Sequence, residues 1–351
     1  MADVIHVITD KNVGGAGVLL STLLASPPLR QGSLAVLPRE SLLCPLFTEK
    51  EIPYKTLEMN EASFSPGDVR ALFSLFRREG ARLIVSHASL SSRIAAKLLS
   101  IPAVSIRHCD TPFPAHGLWL YNAVTSLTVA TSKPLEARLR AAGVKRLLTV
   151  ENGYTDMGIP SKTQRERARA QFSLTDDTLA IGLAGRLSPI KGQDVALRAL
   201  AATGKAQGRI TLCFLGAGEE EDRLRTLASS LGVADRVRFL GYLPDVRLFY
   251  HAIDAHISCS LGSETSSLSL AEGMSAGCPT FASDTSGNRA RLAGGGRLFP
   301  VKDEGALSRL FLSLLHEGER KKLSQMARER ANALPTLEEM REKYKHIFDA
   351  F

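Results

Sequence analysis

Ser260–Asn288 reads SLGSETSSLSLAEGMSAGCPTFASDTSGN and carries two carboxylates, Glu264 and Glu272, eight positions apart. Around them lie a Ser/Thr-rich turn, an apolar run suited to a short helix over Ser266–Ala276, and a Gly-Cys-Pro break. A brief strand, Pro279–Ala282, and a polar loop ending Gly287-Asn288 complete the stretch. Glu264 therefore stands in a loop just ahead of a helix. The backbone N–H groups of Thr265, Ser266 and Ser267 have no partner inside that helix, which suits them to an anion. Glu272 falls about two turns in, so the helix offers a second polar contact from the same face. A phosphate at the N–H groups with a hydroxyl-rich group on each side fits this layout, and a sugar nucleotide is such a ligand. The plain alternative is a helix with one Glu favouring its dipole and one solvated Glu.

Outside this stretch the chain alternates β-like and helical runs. Strands are expected at Asp3–Ile8, Ser33–Pro38, Arg82–Ser86, Ala103–Arg107, Leu127–Ala130 and Leu147–Val150. Helical patterns lie between them at Gly17–Ala25, Gly67–Glu79, Ser89–Leu99, Gly117–Thr125 and Lys133–Ala142. Such βαβα alternation makes a mostly parallel sheet covered by helices on both faces, whose ligands bind beyond the strands' carboxyl ends. A polar segment, Asp156–Asp177, follows, and the domain boundary is placed in its first part. The alternation then resumes with strands at Leu179–Ala184, Ile210–Leu215, Val237–Leu240 and Ala255–Ser258, and helices at Gln193–Ala202 and Glu219–Leu231. The last segments, Glu304–Leu334 and Leu337–Phe351, read as helices separated at Pro335.

At 351 residues the chain exceeds one ordinary domain, and its 44% apolar and 23% charged residues fit a soluble globular enzyme. Five scattered cysteines, none in a CxxC pair, fit a reducing compartment and argue against a disulfide frame or a zinc site. The start MADVIHVITD reads as a first strand rather than a signal segment, and no apolar run reaches membrane-spanning length. The expected location is the cytoplasm. The net charge of +8 is spread over both halves, with no basic tail and no aromatic-interleaved basic motif, which argues against nucleic acid. Arg70–Arg82 and Glu136–Arg146 are basic amphipathic stretches. The favoured reading makes them core-facing helices with solvated basic rims, and the second lays them on the anionic inner face of the cell membrane.

Several loops at expected strand ends carry chemistry. Gly185-Arg186-Leu187-Ser188-Pro189-Ile190-Lys191-Gly192 places two cations five apart, where both reach one diphosphate. Gly14-Gly15 precedes a helix, so the backbone can approach a phosphate there, although a tight turn needs glycine anyway. His108 ends one strand and His87 another, with Asp110 a weaker candidate. Asn152-Gly153 is either a site or a simple turn. Gly216-Ala217-Gly218-Glu219 joins a strand to a helix, and Tyr242 follows the next strand, where it either stacks on a base or packs. No Asp-x-Asp motif is present, so no metal site is expected.

The Glu-x7-Glu spacing, the continuation Ala276-Gly277-Cys278-Pro279 through Asp284, and the Gly-Arg-Leu-x-x-x-Lys-Gly run resemble family 4 of the retaining glycosyltransferases (glycosyl transferases group 1). The resemblance implies an α/β chain with the GT-B fold, two Rossmann-like domains facing each other across a cleft. Residues 1–158 would be the acceptor-side domain and 159–335 the nucleotide-sugar donor domain, with 336–351 a helix returning to the N-terminal domain. It also implies roles. Glu264 faces the donor sugar, Glu272 holds the ribose, and the amides from Thr265, Ser266 and Ser267 to Leu268 and Ser269 take the diphosphate. Arg186 and Lys191 stabilise the leaving group, and His108 lies close to the donor sugar. Gly14, Gly15, Asn152, Gly185, Gly216 and Tyr242 line donor or acceptor. The family's usual Gly-Phe-Gly after the first Glu is Thr265-Ser266-Ser267 in this chain.

The activity so implied is metal-independent, retaining transfer from a nucleotide sugar, a UDP-sugar first, to a glycan, lipid-linked or small-molecule hydroxyl, in surface polysaccharide or glycolipid assembly. No cofactor is expected. Alternatives on the same fold are a sugar-nucleotide epimerase, a phosphorylase, or a non-catalytic partner subunit. Donor, acceptor and oligomeric state are not read from the sequence.

Overall fold

Short apolar runs bounded by turns form strands buried on both faces, as parallel sheets under two helical layers require. The computed structural model describes residues 2–11, 14–60, 63–109, 117–204, 209–243, 245–262 and 266–351. The chain divides into two units, one of 1–153 with 335–351 and one of 154–334.

In the first unit the strands are β1 (Val4–Ile8), β2 (Ser33–Pro38), β3 (Tyr54–Leu57), β4 (Leu83–His87), β5 (Ala103–Arg107), β6 (Leu127–Ala130) and β7 (Leu147–Thr149). They pair in parallel in the order β3-β2-β1-β4-β5-β6-β7. Helices α1 (Gly15–Leu24), α2 (Pro27–Arg30), α3 (Cys44–Glu49), α4 (Pro66–Glu79), α5 (Leu90–Leu98), α6 (Gly117–Ala123) and α7 (Lys133–Ala141) intervene. The second unit begins with α8 (Lys162–Gln171), followed by β8 (Leu179–Ala184), α9 (Gln193–Ala202), β9 (Ile210–Leu215), α10 (Glu221–Ser230) and β10 (Val237–Phe239). It continues with α11 (Arg247–Ala252), β11 (Ala255–Ser258), α12 (Leu268–Ser275), β12 (Thr280–Ser283), α13 (Ser286–Leu292), β13 (Arg297–Phe299), α14 (Glu304–Ser313) and α15 (Glu317–Asn332). Its sheet runs β10-β9-β8-β11-β12-β13, also parallel. In each sheet the chain starts in the middle, fills one side and then the other. The strand order therefore reverses between β1 and β4, and between β8 and β11, where such sheets bind ligands.

The final helix, α16 (Leu337–Asp349), belongs to the first unit. Its buried face of Met340, Tyr344, Ile347 and Phe348 packs with Val4, Leu83, Val85 and Ile106. Thr336 and Glu339 form a reciprocal cap at its start, and Arg341 donates to the Thr22 carbonyl at 2.9 Å.

The strands follow the apolar runs closely, while polar elements depart from the sequence reading. Lys162–Gln171, expected within a polar linker, is helical although only Ala168 and Arg169 are buried. Arg165 and Arg169 hold it to the sheet through Asp254, at 2.5 and 3.1 Å, and Asp254 also accepts from the Ala180 N–H at 2.8 Å. The division at Gly153–Tyr154 falls before the expected 158, because 154–158 packs on the second unit. Tyr154 Oη donates to the Ala331 carbonyl and the Met157 N–H to Ser275 Oγ, both at 2.9 Å. The expected single helix over Glu304–Leu334 is two, interrupted at 314–316, and Arg320 donates to the Leu314 carbonyl freed there.

Both basic amphipathic stretches spend their apolar faces inside the first unit. Leu72, Leu75 and Phe76 of α4 and Leu135 and Leu139 of α7 are buried, leaving Arg70, Arg77, Arg78, Arg138 and Arg140 exposed. Among the described residues no helix is long and apolar enough to cross a membrane.

Asp254→Ala leaves the buried Arg169 guanidinium without its carboxylate. It should cost about 3 kcal/mol in urea unfolding and raise amide exchange in α8; unchanged values would refute the staple.

Candidate functional site

In the second unit the loops after β8, β9, β10 and β11 are tied together where the strand order reverses. The Gly185 N–H donates to the Leu215 carbonyl at 2.9 Å and the Leu187 N–H to the Ala217 carbonyl at 3.1 Å. The Gly216 N–H donates to the Gly241 carbonyl at 2.8 Å, and a Cβ on Gly216 would stand 2.2 Å from the Gly185 oxygen. On the other side, the Leu261 N–H donates to the Ile190 carbonyl at 2.8 Å. Gly192, at φ +65°, lets the loop after β8 touch the loop after β11, since a Cβ there would stand 2.3 Å from the Cys259 oxygen.

This backbone frame carries the two cations. Arg186 is exposed, and its carbonyl accepts from the buried Gln193 amide at 2.9 Å. Lys191 is half-buried in a short 3-10 turn, Pro189–Lys191, and its stem crosses Gly185, with Cε 3.7 Å from a Cβ built there. Nearby arginines on helices are neutralised, Arg223 by Glu220 and Arg225 by Glu221. Among the described residues Arg186 has no such carboxylate, which leaves its charge for an anion. Tyr242 is 61% exposed, so the packing explanation for it fails.

Across the reversal, α12 begins at Leu268 with Ser267 as its N-cap, two residues later than the sequence suggested. Ser267 keeps an extended ψ of 112°, so the helical run starts after it and Glu272 lies just over one turn in, not two. No side chain caps this end and no acid occupies its first turn, so the amides of Leu268, Ser269 and Leu270 remain anion-binding groups. Ser267 Oγ and Ser269 Oγ bond each other at 3.2 Å. Ser266 is half-buried beside them. Glu264 and Thr265, like Asp110, lie outside the described residues.

Glu272 is half-buried and accepts from Tyr250 Oη at 2.9 Å. Burial lifts its carboxyl above the usual range, and the Tyr250 bond and the charge of Arg291 oppose that lift. His256 lies under α12, its imidazole against Gly273, and meets the Tyr250 ring edge-on with centroids 5.6 Å apart. Burial holds its pKa at about 3, so it is neutral. The sequence reading missed Tyr250, His256 and Arg291. Tyr250 sits in an apolar run, Leu248-Phe249-Tyr250, where the only signal is a buried helical face.

In the first unit Gly14 is the extended N-cap of α1, with no side-chain cap and no acid in the first turn. Gly15 is exposed and a Cβ there would meet open space, so packing does not require that glycine. Asn152 is buried. Its neighbour Gly153 is explained by packing, since a Cβ there would stand 2.3 Å from the Thr336 oxygen at the start of α16. His87 and His108, read separately from the sequence, are joined: Nδ1 of His87 lies 2.9 Å from Nε2 of His108, with the rings stacked at 5.2 Å. His6 extends the row, 5.9 Å from His87 and edge-on to Phe348 at 5.4 Å. Burial lowers all three, His6 to about 3 and His108 to about 4, with Arg107 also acting on His108. Among the described residues no group of three His, Cys, Asp or Glu is placed to hold a metal.

The chain is similar to known proteins. Residues 164–331 match the family Glycosyl transferases group 1. The chain is 28% identical over 195 residues to the putative glycosyltransferase EpsD of Bacillus subtilis, covering 54% of this chain and 51% of EpsD, so it spans about half the length of that relative. It is 28% identical over 323 residues to the D-inositol 3-phosphate glycosyltransferase of Acidothermus cellulolyticus, covering 81% and 70% of the two chains. The crystal structure of Anabaena HepE in complex with UDP and glucose superposes over 100% of both chains with a TM-score of 0.87 at 21% identity. That likeness shows the fold, the two Rossmann-like units of the GT-B class.

Two outcomes test the geometry. Gly192→Ala forces a left-handed φ on an L-residue, worth about 1–2 kcal/mol, and drives Cβ into Cys259. Unfolding should lose at least that much, and an unchanged midpoint would overturn the contact. The buried histidines have folded pKa values below the unfolded value near 6.5, so their stabilisation is complete above that pH and lost below it. Each should contribute a slope of up to about 1.4 kcal/mol per pH unit, and His6→Leu should flatten the decline in urea midpoint between pH 6.5 and 4.5.

Proposed function

We propose, from the match of residues 164–331 to the family Glycosyl transferases group 1, that the chain transfers a sugar from a nucleotide-sugar donor to a hydroxyl acceptor, with retention and without a metal. The observation that carries this reading is the contact, at the reversal between β8 and β11, of the Arg186–Lys191 loop with the loop after β11, the same loop that leads to the uncapped start of α12. Both groups suit one diphosphate. In the reaction the bond between the anomeric carbon and the diphosphate breaks, and negative charge grows on the leaving phosphate. Arg186, Lys191 and the amides at the start of α12 stabilise that charge, the task a metal performs elsewhere. Glu272, just over one turn further, holds the ribose hydroxyls. Gly185, Gly216 and Tyr242 border the nucleoside, and Glu264 takes the donor sugar.

In the first unit His108, Gly14, Gly15 and Asn152 serve the donor sugar and the acceptor. The donor is a UDP-sugar, a choice supported by the UDP and glucose held by HepE. The acceptor is a glycan or lipid-linked hydroxyl of surface polysaccharide or glycolipid assembly, in line with relatives whose names include a lipopolysaccharide core glycosyltransferase and a phosphatidyl-myo-inositol mannosyltransferase. The enzyme works in the cytoplasm, with the exposed arginines of α4 and α7 as the group that would meet an anionic membrane face.

A thermal-shift screen with UDP, GDP, ADP and their sugars tests the donor. UDP should stabilise selectively, by about 2.7 kcal/mol at one hundred times its dissociation constant. Arg186→Ala with Lys191→Ala should lower kcat/KM by a factor of about 100 or more while leaving the unfolding midpoint near wild type. Wild-type turnover in the folded double variant would refute the role of the cations.

A further inference from the structure

The Glu272 carboxylate is held by a residue that belongs to no recognised motif. Tyr250 lies on α11, 22 residues before Glu272, and is buried, with its ring packed edge-on against Phe249 at 5.2 Å and His256 at 5.6 Å. Its backbone is fixed as well, since the Tyr250 N–H donates to the Val246 carbonyl and the Tyr250 carbonyl accepts from Cys278 Sγ at 3.5 Å. The clamped ring delivers its hydroxyl to two acceptors, Glu272 Oε2 at 2.9 Å and the Ser269 carbonyl at 3.3 Å. One phenol carries one proton. With Glu272 ionised, the proton goes to the carboxylate, the shorter and charge-assisted bond. Among the described residues no hydrogen bond occupies Oε1.

We propose that Tyr250 is a positioning residue that fixes Glu272 for ribose recognition by occupying Oε2 and presenting Oε1 to the sugar hydroxyls. This rests on the reading that Glu272 holds the ribose of a nucleoside diphosphate. Its physical content is a preorganised acceptor. A ribose diol donates two hydrogen bonds, and a freely rotating carboxylate would lose side-chain freedom on meeting them. The Tyr250 bond removes that freedom before the ligand arrives.

The same bond sets the pH range of binding. A carboxylate lifted by burial accepts two hydroxyl protons only above its pKa, so ribose binding is present at higher pH and lost as pH falls through that value. Tyr250 pulls the pKa down and widens the range. When Glu272 takes up a proton, the phenol can turn to the Ser269 carbonyl, so the protonated form is satisfied too. Other charged and titratable groups among the described residues lie on the neighbouring elements. Arg291 of α13 is a cation, and Arg328 of α15 is engaged by Asp156 and the Ser275 carbonyl. His256 of β11 stays neutral, and burial pushes the Cys278 thiol up to about 12.

Calorimetric binding of UDP and of inorganic pyrophosphate to the full chain, between pH 5.5 and 8, tests the proposal with Tyr250→Phe, Glu272→Gln and the double variant. Tyr250→Phe should weaken UDP about tenfold near pH 6.5 and less at pH 8, moving the acid midpoint upward and leaving pyrophosphate unchanged. In the Glu272→Gln background it should add nothing. An unmoved midpoint, an equal loss for pyrophosphate, or the same loss in both backgrounds would overturn the role of Tyr250. If Glu272→Gln binds UDP as wild type does, the ribose reading fails instead, so the two failures are told apart.

Discussion

The second unit depends on a backbone contact that only glycine permits. At Gly192 the loop leaving β8 comes within contact of the Cys259 carbonyl, and one residue pair away Leu261 and Ile190 share a hydrogen bond. Without that approach the two loops at the strand reversal would stand apart. The cations on one and the helix start on the other would then be separate surface features. With it, the two loops that carry them are joined. Opposite, Gly216 brings the loop after β9 onto Gly185 in the same way. The parallel order of the sheet sets where the loops emerge, and close carbonyl contacts set how tightly they gather.

Charge is then distributed by elimination. Several basic residues on the helices of this unit are matched, as Arg165 and Arg169 are by Asp254 and Arg328 is by Asp156. These pairs fasten elements together. Arg186 stands apart because its own loop has no acid to match it, and α12 places no acid in its first turn. An overall charge of +8 says little about a ligand, since matched pairs contribute nothing local. An exposed cation with no carboxylate among the described residues, and a helix start with no side-chain cap, are what speak for an anion.

The strands were legible in the sequence because burial on both faces demands uninterrupted apolar runs such as Leu179–Ala184 and Ile210–Leu215. Elements held by polar contacts were not. Lys162–Gln171 shows no apolar stripe, and its helix rests on two guanidinium groups reaching an aspartate more than 80 residues away. The edge strand Tyr54–Leu57 is half exposed and too short to alternate clearly. Of the candidate site, the glycine loops and the cations were visible as local spacing. Tyr250 was not, since its bond to Glu272 joins residues on different elements, and in sequence it looks like core.

The two units use buried polar side chains in opposite ways. In the first, His6, His87 and His108 form a row whose members are kept neutral by burial, with His87 and His108 at the ends of β4 and β5. Burial disfavours the charged form of each, so the row resists charging. In the second unit Tyr250, Glu272 and Arg291 gather a donor, an acceptor and a cation, and the carboxyl there can exist in either form with a partner for each. The first arrangement fixes a neutral donor or acceptor against acid. The second keeps a charge available and lets the surroundings decide the pH at which it is lost. A group that is to accept from a neutral sugar diol, as proposed for Glu272, has to be of the second kind, because only the ionised carboxylate accepts two hydroxyl protons.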